Sequence, residues 1–398
     1  MPETGLNDLT PRQRTGSYIA LYTSIIAWGM SFAGLVPLMA LVLEARGTNP
    51  VLIGLIAAAN PIGVIIAAPI VAPIVRRFGT ANAMILASIG AVVTVVTLPV
   101  FDSIAGWLIL RFLNGLCGAV PWVVTETWIN AIAVERTRGR ITALYGGSMA
   151  MGFAVGPFLL TTVGTDGALP FLYFAGLMSI SLIPIVVVRH LAPTLHLPHG
   201  IRISGFFLTV PTVMGAGFVC GMTDTSLFSF LPIWSKNAGV DEATAIHLLS
   251  VFVIGNVFLT LPLGWLADHV NKRMVLIGCG AMCVVGPFAV TALAPTMTTS
   301  LWAVGALLFL WGGCAWALYT VGLAMLGERF QAGTLAASNA AFVVAYEVAN
   351  IVGPPAAGFA MDTWQNHGLM TFMGSVAAIY TLIAIGRGLF RSTPPSPA

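Results

Sequence analysis

Four ionisable side chains lie inside stretches apolar enough to cross a bilayer: Arg111 and Glu126 in the run 107–132, Asp224 in 205–235 and Glu347 in 335–361. A charge in hydrocarbon is costly, so each is expected to have a partner or a task. On a helix, Arg111, Gly115, Gly118, Trp122, Glu126 and Ile129 recur at steps of three and four, which puts the polar and small residues on one face. Fifteen residues separate Arg111 from Glu126, about 22 Å of helix, so they cannot pair with each other. Arg111 then needs Asp224, Glu347 or freed backbone carbonyls as its partner, and it is either an anion or coupling contact or a strut. Asn339, Val343, Glu347, Asn350 and Pro354 form one polar stripe. A carboxylate there suits a proton carrier, or alternatively a hydrogen-bonded contact between helices. Asp224 sits beside Thr223, Thr225 and Ser226. Glu126 precedes a basic segment, and an ion pair with Arg138 or Arg140 is expected there.

Apolar rings accompany these charges. Trp28, Phe32, Trp122, Trp311, Trp316 and Tyr319 are read partly as packing and partly as walls of a substrate pocket, with Ser31 beside Trp28 and Phe32. Met214, Cys220, Met222 and His247 are soft-metal ligand types but lack a repeated spacing, and no metal site or cofactor is expected. No phosphate-binding loop, nucleophile elbow or hydrolase motif occurs, so the chain reads as no enzyme.

The elements that must hold these residues follow from composition. The 398 residues are 58% hydrophobic and only 8% charged, with a mean hydropathy of +0.93. Soluble domains carry roughly 25% charged residues, which marks this chain as an integral membrane protein. Its 43 glycines suit closely packed transmembrane helices. The five cysteines all lie in apolar runs and imply no disulfide framework. No signal-peptide cleavage site follows the polar tail 1–17, so the first span is retained.

At about 20 residues per span, the hydropathy predicts twelve helices: 18–43, 50–75, 82–100, 105–132, 141–163, 169–189, 205–235, 244–267, 274–294, 299–326, 335–361 and 369–389. The His- and Pro-rich linker 190–204 divides an N-terminal six-helix bundle, 18–189, from a C-terminal one, 205–389, and a tail of 390–398 follows. With both termini cytoplasmic, 14 of the 17 Lys and Arg residues fall on the inner side, as the positive-inside rule requires. The halves are copies. Gly152, Gly156 and Pro157 match Ala349, Gly353 and Pro354 at an offset of 197, which also lays Gly115 and Cys117 on Gly312 and Cys314. Gly63 and Arg76 match Gly255 and Asp268 at an offset of 192. Such parallel repeats are a transporter design. At the positions matching Arg111 and Glu126 stand Leu308 and Leu323, so those charges belong to the first copy alone.

Specific motifs sharpen this. The segment Gly264-Trp-Leu-Ala-Asp268 with Lys272 and Arg273 resembles the loop signature of the major facilitator superfamily. Its first-half counterpart keeps the basic-Phe-Gly part at Arg76–Gly79 and has Arg76 where the acid would stand. Arg111-x3-Gly115 resembles the fourth-helix signature, and Gly152-x3-Gly156-Pro157 resembles the antiporter signature without its trailing glycines. Thr125–Asn130 with Arg138–Leu144, and Ala317–Arg329 with Asn339–Phe342 and Gly353–Gly358, are similar to the YcaD-like branch.

The resemblance implies an all-α fold of twelve transmembrane helices in two pseudo-symmetric halves that rock about a midplane site. It places Arg111 and Asp224 on opposite halves, where a salt bridge between them would act as a gate. It gives Asp268, Lys272 and Arg273 a conformational role at the inner face, together with the Glu126–Arg138–Arg140 group. The expected function is proton-coupled secondary transport of a small organic solute in a bacterial inner membrane, with an anionic or zwitterionic substrate favoured. A drug/proton antiporter and a non-transporting receptor are the alternatives. Partners are the solute, protons and lipid, with no nucleic acid, and the chain is read as a monomer.

Overall fold

A computed structural model describes residues 10–134, 137–193, 206–330 and 332–390. The helices are α1 Pro11–Ala45, α2 Pro50–Phe78, α3 Thr80–Thr97, α4 Ile104–Ile132, α5 Arg138–Val163, α6 Leu169–Ile180, α7 Leu182–Val188, α8 Phe206–Thr209, α9 Pro211–Asn237, α10 Glu242–His269, α11 Lys272–Leu293, α12 Leu301–Arg329, α13 Ala332–Trp364 and α14 Gly368–Phe390. Among the described residues there is no strand. Twelve segments are long and apolar enough to cross a membrane, with α6 and α7 together forming the sixth. Large apolar side chains such as Leu261 and Trp302 stand fully open on the outside. That surface is stable against lipid and would be an aggregation hazard in water.

Three boundaries differ from the hydropathy. α1 begins at Pro11, inside the expected polar tail, because Thr10 caps it: the Thr10 hydroxyl accepts from the Gln13 amide while the Gln13 side chain accepts from the Thr10 amide. That is a capping box with Pro at the first helical position. The sixth span breaks at Ser181, since Pro184 lacks the amide that would continue the ladder into α7. The seventh span starts as a separate turn, α8, and resumes at Pro211, again with proline in the first turn. The tails at 1–9 and 391–398 and most of the linker, 194–205, lie outside the described residues.

The contacts divide the chain into two compact units, 1–47 with 55–200, and 48–54 with 201–398. In the first unit α1 packs on α5 and α6, and α3 on α4 and α6. In the second, α9 packs on α13 and α14, α11 on α12 and α14, and α10 on α12. The repeated glycines are where backbones meet. A side chain at Gly115 would strike the Asn60 carbonyl on α2, and one at Gly63 the Phe112 carbonyl on α4. In the second unit, Gly312 faces the Phe252 carbonyl on α10 and Gly255 the Phe309 carbonyl on α12. Gly152 and Gly156 lie against α1 at the Ile26 and Met30 carbonyls, and Gly353 lies against Met222 and Ser226 of α9. Helices brought this close gain dispersion contacts that side chains would prevent, which is what drives association in lipid.

Candidate functional site

In the first unit, Arg111 is 2% exposed. One Nη lies 3.5 Å from Asn114 Oδ1, one helical turn along α4, and the guanidinium carbon stands 6.0 Å from the centre of the Phe32 ring. Its Nε has no partner. Asn114 is itself held: its amide donates to Thr94 Oγ1 at 2.9 Å and to the Ala91 carbonyl at 3.3 Å, and its oxygen accepts from Asn60 Nδ2 at 3.1 Å. Asn60, Thr94 and Asn114 thus brace three helices around one cation. None of the three was singled out from the sequence, although an amide in a transmembrane run is a polar group that must find a partner.

Beside Arg111 lies an aromatic wall. Trp28 stacks on Phe32 with centroids 5.1 Å apart and meets Trp122 edge-on at 5.5 Å, while Phe32 contacts Phe153 of α5 at 5.7 Å. Ser31 does not join it. Its hydroxyl donates to the Phe174 carbonyl on α6 at 2.6 Å and is fully buried, so the expected pocket residue is a tie between α1 and α6.

The second unit holds the two carboxylates. Asp224, 8% exposed on α9, accepts from the Tyr346 hydroxyl on α13 at 2.8 Å through Oδ2. Its Oδ1 has no partner. One residue on from Tyr346, Glu347 accepts from Asn350 Nδ2 at 3.3 Å, and Asn350 Oδ1 accepts from Thr225 on α9 at 2.6 Å. Trp316 and Tyr319 of α12 pack against the Tyr346 ring that bonds Asp224, the three with centroid separations of 5.3 to 6.2 Å. Tyr346 was missed in the sequence, where it reads as one more packing aromatic. Trp311, expected as a pocket wall, is fully buried edge-on against Phe252 and fills the space over Gly286; it is core.

Several expected charge partners differ. Neither Arg111, Asp224 nor Glu347 makes an ion pair among the described residues: an amide serves Arg111, a phenol serves Asp224, and an amide serves Glu347. Glu126 is exposed and makes no ion pair with Arg140; instead Asn130 at the end of α4 meets Thr142 of α5 at 3.5 Å. The Arg138 side chain lies outside the described residues. Lys272 bridges Asp268 at 3.6 Å and Glu328 at 2.8 Å, so the last turn of α12 joins that cluster. Arg273 leaves it, donating to the Ala384 carbonyl on α14 at 2.6 Å.

These features match known proteins. The family model described as Major Facilitator Superfamily matches residues 21–202 and 213–398. The MFS-type transporter YfkF of Bacillus subtilis (strain 168) is 24% identical over 370 residues, covering 90% of this chain and 92% of that one. The MFS-type transporter YcaD of Salmonella enteritidis PT4 is 25% identical over 317 residues, covering 78% and 80%. A crystal structure of a D-xylose-proton symporter superposes with a TM-score of 0.71 at 15% identity, covering 97% of this chain and 98% of that one.

Proposed function

The chain belongs to the major facilitator superfamily and is a multi-pass membrane transporter rather than an enzyme, and from this premise we propose that it couples movement of a small organic solute to a proton gradient. The observation that carries the proposal is the pair of carboxylates in the second unit, Asp224 buried on α9 and Glu347 half-buried on α13, with no cation paired to either among the described residues. Two like charges in a low-dielectric site are costly unless protons or a ligand neutralise one of them. Loading and unloading of that pair gives the protein two states of different charge, which is what a coupled cycle needs. Arg111, with no counter-ion among the described residues, gives the first half an affinity for an anionic group of the solute, which a guanidinium can meet with two parallel hydrogen bonds. One structural relative is a D-xylose-proton symporter. The Lys and Arg distribution favours an orientation with both termini cytoplasmic, and the bacterial relatives favour an inner membrane.

A second reading, efflux of amphipathic compounds against protons, is supported by the Trp28–Phe32–Trp122 wall. Both readings are tested by the protein reconstituted in liposomes, with solute flux followed with and without an imposed pH gradient. The gradient is expected to accelerate flux, and Glu347→Gln is expected to abolish that acceleration while retaining solute binding. A variant that responds to the gradient as the wild type does would remove Glu347 from the coupling. A ligand that stabilises the protein without flux under any gradient would replace transport by a receptor function.

A further inference from the structure

The second unit has anionic groups at its centre and its described cations elsewhere. Lys236 is engaged by Glu242 at 3.2 Å, Lys272 by Asp268 and Glu328, and Arg273 by the Ala384 carbonyl. Asp224 Oδ1 is buried and unsatisfied while Oδ2 is fixed by Tyr346. Fixing one oxygen orients the other. A buried acceptor without a donor forfeits a hydrogen bond it would have made in water.

What surrounds that oxygen narrows what can satisfy it. Trp316 and Tyr319, on successive turns of α12, are only partly buried, and Tyr346 closes on both from α13. Their π faces carry the negative part of the aromatic quadrupole and attract a cation lying over them. A hard metal ion is poorly served, since it asks for six or more oxygens and the described residues hold no group of three or more metal-ligating side chains that could bind one. A substituted ammonium is well served. Its N–H or polarised C–H groups meet the carboxylate, and its carbon substituents meet the rings.

We infer that the second unit carries a recognition site for a substituted ammonium group, with Asp224 as its counter-ion and Trp316, Tyr319 and Tyr346 as its walls. Glu347, one residue beyond Tyr346 and bonded to Asn350, remains available for the proton. The inference rests on the transport reading above and narrows it: the solute is an organic amine.

The test is equilibrium binding to the full-length protein in neutral detergent, so that it does not depend on flux or on a gradient. The probes are tetramethylammonium, tetraethylammonium and phenethylammonium, each beside a neutral isostere: neopentane-type alcohols for the first two and 2-phenylethanol for the third. Affinity is read from the shift in melting temperature with ligand concentration and from quenching of tryptophan fluorescence. At least one cation is expected to bind about tenfold or more tightly than its isostere, and Asp224→Asn to lose that preference. Trp316→Leu, which leaves the carboxylate intact, is expected to weaken the same cation and so covers the case of an Asp224 variant that does not fold. Equal binding of cation and isostere, or no cation bound at tens of millimolar, overturns the inference. Cation selectivity with a flux indifferent to the pH gradient would leave this site standing and remove the proton coupling. Gradient-driven flux without cation selectivity would do the reverse.

Discussion

Arg111→Leu is expected to reduce transport by a hundredfold or more while the protein stays folded, with a melting temperature equal to or above that of the wild type. The two halves of this expectation have one physical source. A buried guanidinium normally stabilises through a carboxylate, and removing one member of such a pair strands the other at a cost of about 3–5 kcal/mol. Here no carboxylate is stranded, because the one polar contact is a 3.5 Å approach to Asn114, whose oxygen keeps Asn60 as a donor. Deleting the charge thus removes a desolvation cost and little else. Leucine is also what the second half places at the matching position, 308, where it is fully buried. The loss of function follows because no other described residue in the first unit's buried interior offers a cation. Arg111→Lys should retain a small part of the activity, since a point charge survives but the planar fork does not. Flux in proteoliposomes and thermal unfolding of the same preparations decide it. Wild-type transport by Arg111→Leu would reduce the residue to a strut.

Gly312→Leu is expected to prevent accumulation of folded protein, and Gly312→Ala to lower stability by about 2–3 kcal/mol, the upper range for overpacking. The first added carbon would overlap the Phe252 carbonyl, a backbone atom that cannot rotate away. α10 and α12 would have to separate, and with them the Gly255–Phe309 contact that closes the same seam. Gly278→Ala on α11 is the control. Nothing lies within 4 Å of an added carbon there, and alanine in a helix gains about 0.5–1 kcal/mol over glycine. The two alanine variants should therefore shift the melting temperature in opposite directions, read by thermal unfolding and by monodispersity in size exclusion. Parallel shifts would refute the packing account.

How far these features were legible depends on their range in the chain. The twelve spans and the repeat could be read because each needs only composition or a fixed spacing along one stretch. The start of α1 was also present, as Thr10, Pro11 and Gln13, but a polar composition outweighs a three-residue cap in any hydropathy reading. The burial of Arg111 and Asp224 followed from the apolar runs around them. Their partners did not. Asn60, Thr94 and Asn114 come from three helices, and no periodicity connects residues on different helices. Ser31 and Trp311 show the converse limit: a helix face gives direction, yet whether that direction ends in a cavity or on a neighbouring carbonyl is decided by packing alone.

The glycine seams also record where the two copies differ in length. Gly63 and Gly255 are related by 192 positions, Gly115 and Gly312 by 197, so the second copy is five residues longer between the two halves of one seam. The helix starts locate them. Thr80 and Lys272 keep the first offset, while Ile104 and Leu301 already keep the second. α3 has 18 residues and α11 has 22, so four of the five went into the helix as one extra turn, about 6 Å of added length. A whole turn returns the chain close to its former azimuth, and the α12 glycine still meets α10. An insertion of two or three residues at the same place would have swung the following segment to another face. The two copies close the same glycine seam with connections that differ by one helical turn, which marks that connection as the place where a tag or epitope of one turn could be added without moving either seam.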